Sequence, residues 1–174
     1  LVLGGGGAKG SYELGVWKAL REIGVDFNMV IGTSIGSLNG CMYVQNDFKY
    51  AEKLWTNLTP DQVITDGVNL EFDFQAIIKD KDKYLALVKE ALKSGSLDIS
   101  PLQDLVRKTV NPSKIYKSKK EFYLTTVDVT TFKPLLVNVK ELPEHLIAEF
   151  LLASSACFPA LPLHEIEGKK YLDG

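Results

Sequence analysis

Three groups of residues in this sequence have the types and placement that acyl chemistry requires. Met29-Val30-Ile31 reads as a short buried strand and runs directly into Gly32-Thr33-Ser34-Ile35-Gly36. A strand, an abrupt turn and a helix make a nucleophile elbow, which lifts a serine clear of the sheet that carries it. Gly32 and Gly36 keep side chains away from Ser34 and tolerate unusual backbone angles. Ser34 at a helix N-terminus would also meet unpaired N–H groups and a dipole that favours negative charge. Gly-x-Ser-x-Gly arises by chance in about one chain in fifteen to twenty of this length and composition. The motif alone is a suggestion.

The second group is Gly4-Gly5-Gly6-Gly7-Ala8-Lys9-Gly10, which follows the strand-like Leu1-Val2-Leu3. Its G-x-G-x-x-G spacing raises a dinucleotide site, but that site wants an acidic residue at the end of the second strand, where Gly32-Thr33-Ser34 stands. A phosphate loop needs Gly-Lys-Ser/Thr, and the sequence has Ala8-Lys9-Gly10. An oxyanion hole fits better. Consecutive glycines let several N–H groups converge on one small space, and losing one such donor typically costs about 10²–10³ in rate. If the first two strands are parallel neighbours, the loop and Ser34 face each other at one sheet edge.

The third group must activate the serine. Only His145 and His164 are available for a triad. His145 lies early in a polar-faced helix, and Ser34, Asp128 and His164 can be written in hydrolase order. The other route is a carboxylate that takes the serine proton directly. Asp173 ends a strand before Gly174 and could reach such a crevice, although an isolated Asp-Gly is also an ordinary turn. The residues by themselves leave both routes open.

The elements that would position these groups read as β-α-β-α over the first 45 residues. Tyr12, Val16, Trp17, Leu20 and Ile23 recur at helical spacing over 11–23, ahead of Gly24, and a second helix is expected over 35–45. Such a unit implies a parallel sheet covered by helices. Residues 48–120 read as a helical insertion or lid, with helices expected over 48–58, 83–93 and 101–108 and an irregular excursion over 59–74. A hairpin is expected over 121–139, a helix over 143–153, an apolar proline-punctuated loop over 154–163, and a last hairpin turning at Glu167-Gly168.

Bulk composition sets limits. The chain has 174 residues, 45% hydrophobic and 24% charged, which suits a single domain over 1–174 with a full core. A net charge of −2 gives no reason to expect nucleic acid as a partner. Cys41 and Cys157 are too few and too far apart for zinc, and packing explains them. No apolar run approaches the roughly 18 residues of a membrane span, so a soluble or peripheral chain is expected, a cytoplasmic setting slightly favoured. Both ends read as trimmed, and compartment and oligomeric state stay undetermined.

Taken in order, Leu1-Val2-Leu3-Gly4-Gly5-Gly6-Gly7-Ala8-Lys9-Gly10, Gly32-Thr33-Ser34-Ile35-Gly36 and Ala153-Ser154-Ser155-Ala156 leading to Tyr171-Leu172-Asp173-Gly174 resemble the patatin-like phospholipases. The resemblance implies a three-layer α/β/α fold with a mainly parallel central sheet. It implies a lipid acyl hydrolase that works on lipid or phospholipid esters with a Ser-Asp dyad, no calcium and no cofactor, and with contact to a membrane or micelle surface as an option. On that basis Ser34 is the nucleophile and Asp173 the general base. Gly5, Gly6 and Gly7 form the oxyanion hole, and Lys9, Gly10, Gly32 and Gly36 support it. Gly4 stands where many members carry Asp or Ser, and the final block stops at its first glycine. A silent lipid-binding module on the same scaffold is the competing class. An aspartate near its ordinary pKa of about 4 is a weak base at neutral pH, so a partly apolar crevice is expected around Asp173.

Overall fold

A computed structural model describes residues 1–65, 82, 85, 89 and 97–174. The chain forms an α/β architecture on one mixed sheet. Strand β1 (Val2–Leu3) is followed by α1 (Gly10–Glu22), β2 (Met29–Thr33), α2 (Ile35–Val44) and α3 (Phe48–Asn57). After the described break come α4 (Ser100–Thr109), α5 (Pro112–Lys117), β3 (Glu121–Asp128), β4 (Lys133–Asn138), α6 (Glu144–Ser154), β5 (His164–Ile166) and β6 (Lys169–Asp173). The helix expected over 83–93 lies, apart from Leu85 and Lys89, outside the described residues, as does most of the excursion over 59–74. The described parts of 48–120 rest on the rest of the fold: α3 against α1 and α2, α4 against α6, and α5 against α2.

The sheet runs β1-β2-β3-β6-β5, with β4 also on β3. β1, β2 and β3 are parallel, with α1 in the connection from β1 to β2 and α2 following β2. β4 pairs antiparallel with β3 from Tyr123 to Asp128, so it occupies most of one edge of that strand. The other edge is therefore shared. β2 takes its first half, ending with Thr33 opposite Thr125, and β6 takes its last part antiparallel, with Asp173 opposite Thr126. β2 running up and β6 running down thus finish at adjacent residues of β3.

The core sits between this sheet and α2. In α2, residues 36, 37 and 39–44 are buried, which is why its sequence is small or apolar almost throughout. Gly40 allows close contact, since a Cβ there would stand 3.1 Å from Val30 Cγ1 and 3.2 Å from Phe122 Cε2. Trp17 of α1 is buried against Tyr43 and Phe48, its ring centroid 5.0 Å from each. The rest of the expected α1 stripe behaves differently. Tyr12 and Ile23 are 78% and 70% exposed, because α1 meets the core through Leu14 and Trp17. Cys41 is buried and Cys157 half-buried, both as free thiols.

Two glycines show opposite demands. A Cβ on Gly36 would stand 2.4 Å from the Leu3 carbonyl oxygen, where only backbone could give way, whereas Gly15 on the exposed side of α1 has nothing within 4 Å. Gly36→Ala should destabilise the protein by about 1–3 kcal/mol. Gly15→Ala should be neutral or stabilise by about 0.5–1 kcal/mol. Denaturant unfolding of both variants checks this, and a Gly36→Ala protein as stable as wild type would contradict the packing described.

Candidate active site

Ser34 caps the N-terminus of α2 with φ 54° and ψ −129°, a conformation that costs a non-glycine residue about 1–3 kcal/mol. The surroundings hold it there. Its carbonyl accepts from the Ser37 N–H at 2.8 Å and the Ser37 hydroxyl at 2.6 Å. Its N–H donates to Ser154 Oγ at 2.9 Å. Ser37 and Ser154 are both 0% exposed, so neither bond competes with water. Gly32 is needed for the same turn, because a Cβ there would come within 2.5 Å of the Gly36 carbonyl oxygen and Ser37 Cα.

The structure brings Ser34 and Asp173 together. Ser34 Oγ donates to Asp173 Oδ2 at 2.6 Å, a short bond of the charge-assisted kind. Asp173 is fixed at its other end by its N–H, which donates to the Ala156 carbonyl at 3.0 Å. Burial pushes the Asp173 carboxyl above the usual aspartate range, while the Ser34 hydroxyl pulls it back down. Beside it, burial raises the Cys157 thiol to about 11, with the Asp173 charge adding to the effect. The neighbour of the carboxylate is therefore a neutral thiol. Beneath the pair, Thr33 and Thr125 share a hydroxyl hydrogen bond of 2.6 Å, and Gly174 lies against Thr125.

The glycine loop closes over the serine. A Cβ on Gly5 would stand 3.2 Å from Ser34 Cβ and 3.9 Å from its Oγ, so any larger residue there would crowd Ser34. Gly6 and Gly7 have φ of 159° and 54°, and the Gly6 carbonyl accepts from the Lys9 N–H at 3.1 Å. Among the described residues, the N–H groups of Gly5, Gly6 and Gly7 donate to no other protein atom. Lys9 is exposed, its Cβ packed under Gly6. Gly10 is buried against Ile35 and Trp55. Its carbonyl accepts from Asn39 Nδ2 at 3.0 Å, and Asn39 also bonds Glu13 at 2.8 Å and Trp55 at 2.9 Å. Burial raises the Glu13 carboxyl, opposed by that Asn39 bond. This hub ties the start of α1 to α2.

The members of the alternative triad do not meet. His164 is buried with Nε2 2.8 Å from Glu149 Oε2, and Glu149 also pairs with Arg107 at 3.0 Å. Asp128 accepts from the Thr130 and Thr131 N–H groups in the β3–β4 turn. His145 is exposed. Sequence reasoning missed the roles of Ser37, Ser154 and Asn39. Only Ser154 lay within a noted block, and no local signal tied any of them to Ser34 or the glycine loop. Among the described residues no cluster of three or more metal-ligating side chains occurs. Nor is any helix there long and apolar enough to cross a membrane.

The raised Asp173 pKa has a definite sign. If Asp173 serves as a base it must be ionised, and activity should then fall on acidification through a pKa above the ordinary value of about 4. The folded state holds this proton more tightly than the unfolded chain does. Wild-type stability therefore declines as pH rises through that window, and Asp173→Asn escapes the decline. At pH 7, Asp173→Asn should melt at or above the wild-type temperature while losing activity. Thermal melts of the two proteins at pH 4 and pH 7 check it.

Comparison with known proteins bears on the family and the fold. A family model described as patatin-like phospholipase matches residues 1–174. Over 45 residues the chain is 58% identical to mouse patatin-like phospholipase domain-containing protein 6, which covers 26% of this chain and 3% of that protein. Over 46 residues it is 52% identical to lysophospholipase nte1 of Aspergillus terreus, again 26% of this chain and 3% of the other. The matched stretches are thus a small part of those long relatives. VipD from Legionella pneumophila shares the fold with a TM-score of 0.63 at 18% identity, over 99% of this chain and 45% of VipD. That likeness is to a patatin-like three-layer α/β/α architecture.

Proposed function

This chain belongs to the patatin-like phospholipase family, and we propose that it hydrolyses carboxylic esters of lipids through Ser34 and Asp173. The observation that carries this reading is the 2.6 Å bond from Ser34 Oγ to Asp173 Oδ2 beside a loop whose Gly5, Gly6 and Gly7 N–H groups find no acceptor among the described residues. The substrate class, a phospholipid or lysophospholipid ester, is supported by the family and by relatives named as lysophospholipases.

In the proposed reaction, Asp173 accepts the Ser34 proton as Oγ attacks the ester carbonyl. The carbonyl oxygen becomes an oxyanion, held by N–H groups of Gly5, Gly6 and Gly7. Collapse breaks the ester C–O bond, and the proton on Asp173 passes to the departing alcohol. The acyl group is left on Ser34. Asp173 then takes a proton from water, hydroxide adds to the acyl carbon, and the fatty acid leaves as Oγ regains its proton. Burial helps throughout, because it makes Asp173 a stronger base than an exposed aspartate. Lys9 supports the loop at the start of α1. Contact with a membrane or micelle surface completes the reading, since the substrate resides there.

Two measurements test it. A fluorophosphonate should label the wild-type protein at Ser34, with labelling lost in Ser34→Ala and reduced by about 10²-fold or more in Asp173→Asn. Undiminished labelling of Ser34→Ala would overturn the assignment. Turnover of a lysophospholipid should rise above its critical micelle concentration. A protein that binds such micelles but hydrolyses neither them nor a short-chain nitrophenyl ester would be a silent lipid-binding module instead.

A further inference from the structure

Ser34 and Asp173 lie 139 residues apart in the chain, yet both backbones are held by the same corner at the end of α6. Ser34 donates its N–H to Ser154 Oγ at 2.9 Å. Asp173 donates its N–H to the Ala156 carbonyl at 3.0 Å. The corner is itself closed by the Ser155 N–H to the Leu152 carbonyl and the Ala156 N–H to the Ala153 carbonyl. Ser154 is fully buried and Ala156 nearly so. Two points two residues apart on one stiff turn therefore grip the nucleophile and the base.

We propose that Ser154 is a positioning residue for the Ser34–Asp173 pair: its hydroxyl aims the Ser34 N–H at the α6 corner and so sets the separation of Oγ from the carboxylate. The inference rests on the function proposed above. Three physical points carry it. Ser34 is the first residue of its turn, so its N–H has no partner within α2, and a buried amide left unpaired costs about 1–3 kcal/mol. Among the described residues Ser154 Oγ is the acceptor it finds. The bond also fixes the direction of the peptide plane ahead of Ser34, and with it the φ of 54° that lifts Oγ toward Asp173. A second consequence follows for the oxyanion. The Ser34 N–H is already engaged, so the hole depends on the glycine loop.

Removing the hydroxyl should let Ser34 relax toward ordinary angles and draw Oγ off Asp173. Displacements of about 1 Å in a reacting pair cost on the order of 10²-fold. The test compares Ser154→Ala and Ser154→Cys with wild type, Ser34→Ala and Ser155→Ala, measuring fluorophosphonate labelling rate, kcat and KM for a nitrophenyl ester, and the melting temperature. Ser154→Cys preserves shape with a poor acceptor, which keeps the test open if the alanine variant does not fold. Both Ser154 variants should lose about 10–100-fold in labelling rate and kcat with KM within twofold. Ser155→Ala, which removes a neighbouring hydroxyl whose partner among the described residues is the Leu151 carbonyl rather than Ser34, should retain activity. Ser154 variants within twofold of wild type in labelling rate, or a Ser155→Ala loss as large as theirs, would overturn the positioning role. If Ser34→Ala itself still labels and turns over, the function proposed above fails, whatever the Ser154 variants do.

Discussion

Everything at the site depends on two strands sharing one edge of β3. Because β4 fills the opposite edge, β2 and β6 must lie end to end, and the register makes them meet between Thr125 and Thr126. One delivers Ser34 just past its last residue, and the other delivers Asp173 as its last residue. Strand pairing therefore brings Ser34 and Asp173 to one point on the sheet edge. A slip of one residue would turn every side chain of the slipped strand to the other face of the sheet.

The site stores strain and an awkward charge, and the core offsets both. Ser34 sits outside the ordinary conformations, pinned at its carbonyl by Ser37 and at its N–H by Ser154. Gly32 and Gly36 admit the backbone approach that makes the turn tight. Asp173 is held in a setting that disfavours its charge, with a hydroxyl and a neutral thiol beside it rather than a cation. These features destabilise the folded chain locally and raise the basicity of the carboxylate. The buried surface of α2 against the sheet makes them tolerable.

Much of this was legible in the residues. The Gly-x-Ser-x-Gly block specified the strand, turn and helix around Ser34, because each glycine there answers a local steric demand that spacing reveals. The parallel β1-β2 pair and the crossing α1 followed from periodicity. Asp173 was one candidate among the residues and only resemblance singled it out, since its contact with Ser34 depends on a register across β3 that no local pattern encodes. Ser37, Ser154 and Asn39 were opaque for the same reason: buried hydroxyls and amides take their meaning from partners far away in sequence. Periodicity also overstated the burial of α1, where Tyr12 and Ile23 obey helical spacing yet face outward.

The central claim is that Ser34 and the glycine loop form one reacting centre with Asp173 as base. A crystal structure of the protein after reaction with a fluorophosphonate tests it directly. Phosphorus should be bonded to Ser34 Oγ. The phosphonyl oxygen should lie within hydrogen-bond distance of N–H groups in Gly5, Gly6 and Gly7, and the Asp173 carboxyl should remain beside the adduct. A phosphonyl oxygen turned away from the glycine loop, or His164 released from Glu149 and bonded to the adduct in place of Asp173, would contradict it.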